Sequence, residues 1–164
     1  MIFRGFFLRG LYQTLANEND SKSWLFVLLL IGSAIIPYLL GSLNFAVIVS
    51  REKFHDDIRN HGSGNGGATN MQRTYGNLAA ALTIAGDMLK AVVAVTIGSA
   101  FLGMTFGGYM AAFFCVLGHM FPIFFKFKGG KGVLCTATAV AALSPIAFGL
   151  LFVVFVIIVG FTKY

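Results

Sequence analysis

Long apolar runs separated by two short, glycine-rich polar stretches set the pattern of this chain. The first apolar run extends from Trp24 to about Ser50. At about 1.5 Å per residue it makes a helix of roughly 40 Å, enough to cross a bilayer with tilt. Trp24 marks one interface, Pro37 is the place for a kink, and Gly41 and Ser42 offer a small-residue packing surface. A second span is predicted from about Leu78 to Phe101, then a short turn over Leu102–Gly108, then a third span from Tyr109 to Phe125. Ser144-Pro145 interrupts the remainder, Val133–Tyr164. That interruption favours a short arm over 133–143, shielded by protein, and a return arm over 146–162, in preference to one long span. Residues 1–23 mix Phe3, Phe6, Phe7, Leu8, Leu11 and Tyr12 with Arg4 and Arg9. They read as an N-terminal extension, either a surface-lying amphipathic helix or a loosely ordered tail. Residues 24–164 then make a single membrane domain. The fold class that follows is all-α: a polytopic helical membrane protein of about four to five membrane helices.

Composition agrees with that pattern. Of 164 residues, 57% are hydrophobic and only 11% charged, against about 25% charged in soluble domains. A mean hydropathy of +0.82 on so short a chain requires most of the surface to face lipid. The net charge of +6 does not point to nucleic acid, because the cations sit in short connectors and no basic amphipathic helix is present. Such cations suit anionic headgroups or small anionic molecules. Cys115 and Cys135 both fall in or beside apolar segments and read as buried free thiols. The apolar run after Trp24 leads into further spans, so it reads as a retained anchor and not a cleaved signal.

Charge also orients the chain. With the N-terminus outside, the connectors 51–76 and 126–131 lie inside with Arg51, Lys53, Arg59, Arg73, Lys126, Lys128 and Lys131, and Lys163 returns inside too. Only Arg4, Arg9 and Lys22 are then outside, while Lys90 lies within a span. The positive-inside rule favours this arrangement, which turns both polar connectors to the cytoplasm.

The two connectors carry the candidate chemistry. The first contains Gly62, Gly64, Gly66 and Gly67 within six positions. Glycine permits positive φ and lets amide hydrogens converge into a nest for an anion. Ser63, Asn65, Thr69 and Asn70 add neutral polar groups, and Arg59 and Arg73 add forked cations suited to phosphate. Gly62, Gly64 and Gly67 match a dinucleotide fingerprint, but they follow a membrane helix and not a strand, so that reading fails. The second connector ends in Gly129-Gly130-Lys131-Gly132, another amide nest with a cation inside it. Phe125 stands where a phosphate-binding Walker loop would have its first glycine. Lys126 and Lys128 read more simply as cations reaching to headgroups. Two nests and several cations on one side of the membrane suit substrates carrying two phosphates.

Other chemistries are excluded or demoted. No Gly-x-Ser-x-Gly elbow surrounds Ser63, so it reads as a phosphate ligand and not a covalent nucleophile. No aspartate stands five residues after His55, His61 or His119, which argues against acyltransferases recognised by such a pair. The histidines lack metal-ligand spacing, and neither a metal nor another cofactor is expected. Asp87 and Lys90, three apart on one helix, read as an intramembrane structural pair bordering the site, with His119 packed at a span end.

At these positions the sequence resembles the acyl-phosphate:glycerol-3-phosphate acyltransferase family of bacterial membranes. The resemblance rests on Gly41-Ser42, RNHGSGNGGATNMQRTYG at 59–76, GDMLKAVV at 86–93 and GHMFPIFFKFKGGKGV at 118–133. It covers about residues 30–164, and Phe161-Thr162-Lys163-Tyr164 looks like the start of a further family segment. It implies a small helical enzyme of the bacterial cell membrane, acting in phospholipid biosynthesis. That enzyme moves a fatty acyl group from acyl phosphate to the 1-hydroxyl of glycerol 3-phosphate, giving lysophosphatidic acid and phosphate. By position, the resemblance implies substrate-phosphate contacts from Ser63, Gly64, Asn65, Gly67, Thr69, Asn70 and Arg73. It implies the same for Gly129, Gly130, Lys131 and Gly132, with Arg59, Asp87, Lys90 and His119 in support. Expected partners are glycerol 3-phosphate, acyl phosphate and membrane lipids. Family members continue with a further span and a third motif containing His, Arg and Asn, which does not fall within these 164 residues. An anion or phosphate-ester transporter would use the same cations, although no internal repeat supports one. A catalytically incomplete paralogue is the third reading.

Overall fold

A computed structural model describes residues 10–13 and 23–162. Most of the expected N-terminal extension, and the inside placement of Lys163, fall outside the described residues. The described residues form helices and turns with no strand. From Ser23 onward the helices are, in chain order, α1 (Ser23–Gly41), α2 (Phe45–Phe54), α3 (Ala68–Tyr75), α4 (Asn77–Leu102), α5 (Tyr109–Met120), α6 (Val133–Leu143) and α7 (Pro145–Thr162). Single turns of 3₁₀ helix occur at Ile58–Asn60 and Ile123–Phe125, and a π-turn at Gly103–Gly108 joins α4 to α5. Among the described residues three helical stretches are long and apolar enough to cross a membrane, Ser23–Phe54, Asn77–Phe125 and Pro145–Thr162, and α6 is a shorter apolar helix.

α4 is the central helix, and its buried face is made of small and polar residues. Ala79, Ala80, Thr83, Gly86, Asp87, Lys90, Ala91, Ala94, Val95, Gly98 and Ser99 all point inward, while Leu78, Met88, Leu89 and Val92 are exposed. Small residues inside and large apolar ones outside are what helix packing in lipid requires, because close backbone approach replaces the hydrophobic drive of water. Two crossings show how close the approach is. A Cβ on Gly41 would overlap Cys115 O, and one on Gly118 would overlap Tyr38 O, so α1 and α5 meet backbone to backbone. A Cβ on Gly107 would likewise overlap Gly98 O, which folds α5 back along α4.

The first span is not one helix. Pro37 stays inside α1, and the chain breaks at Gly41–Asn44. Asn44 makes the new start: its Oδ1 accepts from Val47 N–H at 3.1 Å and caps α2. Ser144 gives the expected interruption near the other end, with its Oγ accepting from Ala147 N–H at 3.3 Å. The groove between α6 and α7 is lined by Val133, Thr136, Ala137 and Val140 on one side and Phe148, Leu151, Phe152 and Phe155 on the other. α6 and α7 flank this groove on either side of the Ser144-Pro145 break, so residues 133–162 form two packed helices and not one long span. No residue of α7 is buried.

Candidate active site

The two connectors meet. Gly66 N–H donates to Gly129 O at 3.4 Å. Arg59 donates to Phe125 O at 2.7 Å and to Lys128 O at 3.2 Å, and also pairs with Asp57 at 2.7 Å. Arg59 therefore ties connector to connector and is not an open fork for phosphate. Between the connectors lies a cavity of about 340 Å³. Asn65, Gly67, Ala68 and Thr69 line it from the first connector and α3, Lys131, Gly132, Val133 and Leu134 from the second connector and α6, and Asp87 and His119 from the helices below.

The glycine nests are built differently from the sequence expectation. Gly62 and Gly64 do take positive φ, at 55° and 69°. However, the amides of that loop are already bonded, within the loop or to the second connector. Ser63 N–H goes to Asn70 Oδ1, Gly64 N–H to His61 O, Gly66 N–H to Gly129 O and Gly67 N–H to Asn65 O. The open amides lie elsewhere. α3 starts after Gly67 and α6 after Gly132, and neither cap residue supplies a side-chain hydrogen bond. Helix starts leave their first N–H groups without partners and carry the positive end of the helix dipole. Gly67, Ala68 and Thr69 at one start, and Gly132, Val133 and Leu134 at the other, line the same cavity. Two helix N-termini bordering one space are the arrangement that favours an anion.

The predicted residues divide by position. Asn65, Gly67, Thr69, Lys131, Gly132, Asp87 and His119 line the cavity. Arg73 is exposed on α3, one turn after Thr69 and on the same helix face. Ser63 and Gly64 do not line it; Gly64 instead borders a separate surface notch with Asp57, Arg59, Asn60, Lys126 and Lys128. Asn70 is buried and fully engaged, donating to Ile58 O, His61 O and Asn65 O at 3.2, 2.9 and 3.1 Å. It pins the connector and has no donor left for a phosphate. Gly129 and Gly130 serve close packing: a Cβ on the first would overlap His119 O, and one on the second would overlap His119 Nε2.

Below the cavity lies a buried polar cluster. Lys90 Nζ donates to Gly41 O at 3.1 Å, Leu43 O at 2.7 Å and His119 Nδ1 at 2.9 Å, which uses all three hydrogens of an ammonium. Asp87 Oδ1 stands 2.7 Å from the same nitrogen but is poorly aligned, so the contact is a charge pair and Asp87 Oδ1 has no aligned donor. Asp87, His119 and Cys135 offer ligand atoms within 4.8 Å of one another, a grouping that sequence spacing does not reveal. The ammonium of Lys90 already sits against the carboxylate and the ring nitrogen, as a resident cation would.

Sequence reasoning missed Asn44. Fully buried, it caps α2 and also donates from Nδ2 to Gly66 O at 3.1 Å, so it holds the first connector to the helix break. An asparagine in an otherwise apolar run is the signal that marks it. A second set of contacts braces the outer side of that connector. The Tyr75 hydroxyl donates to Asp56 Oδ2 at 2.9 Å, and burial together with that carboxylate pushes Tyr75 up to about 12. The guanidiniums of Arg59 and then Arg51 hold Asp57 well below the usual carboxylate range.

The family model described as glycerol-3-phosphate acyltransferase matches residues 31–164. A glycerol-3-phosphate acyltransferase of Thermoanaerobacter sp. is 43% identical over 132 residues, covering 80% of this chain and 66% of the relative. One from Neisseria meningitidis serogroup C is 47% identical over 119 residues, covering 70% of this chain and 60% of the relative. A crystal structure of PlsY (YgiH), an integral membrane glycerol 3-phosphate acyltransferase in its glycerol 3-phosphate form, superposes with a TM-score of 0.65. It is 38% identical, covering 80% of this chain and 66% of that one. Its lysophosphatidic acid form gives a TM-score of 0.60 at 36% identity, covering 79% and 64%. The chain thus spans just under two thirds of the length of these relatives. The apolar helices, the paired connectors and these likenesses agree, and this integral membrane protein belongs to the glycerol-3-phosphate acyltransferase family.

Proposed function

We propose that this protein transfers a fatty acyl group from acyl phosphate to the 1-hydroxyl of glycerol 3-phosphate, giving lysophosphatidic acid and phosphate. One observation carries the reading: two helix starts, with Lys131 beside one of them, open onto a single cavity between the connectors. Acyl phosphate is an activated mixed anhydride. The alcohol oxygen attacks the carbonyl carbon, the carbon–oxygen bond to phosphate breaks, and the hydroxyl proton leaves with the released phosphate. No protein nucleophile is needed; the demand is for positioning and for donors to two phosphates. The open amides of α3 and α6 and Lys131 supply those donors, and Arg73, exposed one turn after Thr69 on the same face of α3, is assigned as a further one. The apolar groove of about 590 Å³ between α6 and α7 shares Lys131, Val133 and Ala137 with the cavity. It fits the acyl chain, and Lys131 stands where chain and phosphate join. The charge distribution supports placing the connectors on the cytoplasmic side of the cell membrane.

The test uses protein expressed from its complete gene in membranes, assayed for lysophosphatidic acid and phosphate. Transfer without an ion gradient and without divalent metal is expected. Arg73→Ala and Lys131→Ala should each abolish it while the protein stays folded in detergent. Near-normal turnover in both variants refutes the site, and loss of activity on chelation refutes the mechanism. A membrane-impermeant label that reaches the connectors from outside refutes the orientation.

A further inference from the structure

His119 stands between a lysine that cannot turn away and a cavity that it lines. Its Nδ1 lies 2.9 Å from Lys90 Nζ. An ammonium presents only hydrogens, so a ring nitrogen at that distance carries a lone pair; an N–H there would meet the ammonium hydrogen to hydrogen. The other two ammonium hydrogens go to Gly41 O and Leu43 O in the break between α1 and α2. The carboxylate of Asp87 lies farther from Nδ1, at 3.6 Å, and balances the charge of Lys90. The hydrogen of the neutral ring is therefore on Nε2. That atom lies against Gly130, close enough that only glycine fits. Among the described residues Nε2 makes no hydrogen bond.

We infer that Lys90 is a positioning residue that fixes His119 as the Nε2–H tautomer, and that this N–H is a further donor to a substrate oxyanion in the cavity. The identity of the ligand rests on the acyl-transfer reading above, whereas the tautomer does not. A neutral N–H of fixed direction stabilises charge growing on an oxygen without giving up its proton. It also adds a side-chain donor to a cavity that both helix starts line.

Nitrogen-15 spectra of histidine-labelled, full-length protein in nanodiscs test this without substrate. His119 should show hydrogen on Nε2 and a bare Nδ1. Lys90→Met should lose that preference. Adding glycerol 3-phosphate should shift Nε2 and leave Nδ1 in place. In steady-state kinetics, His119→Gln, which sets an amide near the place of Nε2, should retain kcat within about tenfold. His119→Asn, which mimics Nδ1, should lose about 10²–10³ in kcat, the usual cost of one such donor. Hydrogen on Nδ1 in the wild-type spectrum overturns the inference, whether or not Lys90→Met folds. So do equal losses in the Gln and Asn variants. The expected tautomer in a protein with no transferase activity sustains the Lys90 assignment and overturns the functional reading alone.

Discussion

Replacing Asn70 by alanine removes the side chain on which the first connector is folded. Asn70 is 3% exposed. Its two amide hydrogens serve Ile58 O, His61 O and Asn65 O, and its Oδ1 accepts from Ser63 N–H. Three full bonds are thus at stake, each worth about 1 kcal/mol net. The carbonyl of Ile58 belongs to a fully buried residue, so its loss adds part of a desolvation penalty. The local cost comes to about 3–4 kcal/mol. At 1.4 kcal/mol per decade, opening of the connector should rise about 10²–10³-fold. Asn70→Asp should cost at least as much, because it sets a carboxylate against three carbonyl oxygens. Hydrogen exchange in detergent, without substrate, reads this directly. Amides over 60–67 should exchange faster by that factor, while α4 remains protected. If Asn70 were only a phosphate ligand, exchange without substrate would stay at the wild-type rate, and that result would refute the assignment of Asn70 as a pin.

Two further outcomes follow from contacts already described. Gly118→Val puts a Cβ into Tyr38 O and close to Ser42 N; overpacking of this kind costs about 1–3 kcal/mol. Thermal unfolding in detergent should show reduced stability, and an unchanged midpoint would mean that α1 and α5 are not in backbone contact. Asp57 has a folded pKa held below its ordinary 3.8 by Arg59 and Arg51. Its contribution is therefore complete above that ordinary value and is lost as pH falls through the lower folded one. Exchange at the Ile58–Asn60 turn should quicken as pH drops below about 4, after correction for intrinsic rates. Asp57→Asn should already be loosened at neutral pH and respond less to acid; an equal acid response in both proteins would refute the role of Asp57.

Much of the helical plan was legible in the sequence, because apolar runs of spanning length and a Ser-Pro break each have a direct physical meaning. The break at Gly41–Asn44 was harder to see. Pro37 is the stronger local signal, yet a proline in lipid keeps its helix when neighbours cover the freed carbonyl. What ends α1 is a tertiary fact, the lysine of another helix bonded to Gly41 O and Leu43 O. The glycines were legible as a cluster but not in their roles. In the second connector positive φ falls on Lys126 and Phe127 at 57° and 58° and, of the three glycines, only on Gly132 at 80°, where composition would place it on Gly129 and Gly130 as well. Those two glycines are required for what a Cβ would strike, which only the fold specifies. The amides that face the cavity belong to helix starts, and the signal for them is a glycine before each helix in place of a capping side chain.

The buried charge and the broken helix explain each other. A lysine within a membrane span is costly unless it finds acceptors, and an interrupted helix is costly unless its freed carbonyls find donors. Lys90 meets both needs at Gly41 and Leu43. The break lets Asn44 start a new helix and hold Gly66 O. Gly66 N–H holds Gly129 O, Gly130 N–H holds His119 O, and His119 Nδ1 returns to Lys90. These contacts close a ring through three helices and both connectors, and Lys131 and the start of α6 follow directly from it. The polar residues of the apolar spans are thus the frame that sets two helix starts at one cavity. This is why the intramembrane pair and the surface loops belong to a single site, although more than forty residues separate Leu43 from Lys90 along the chain.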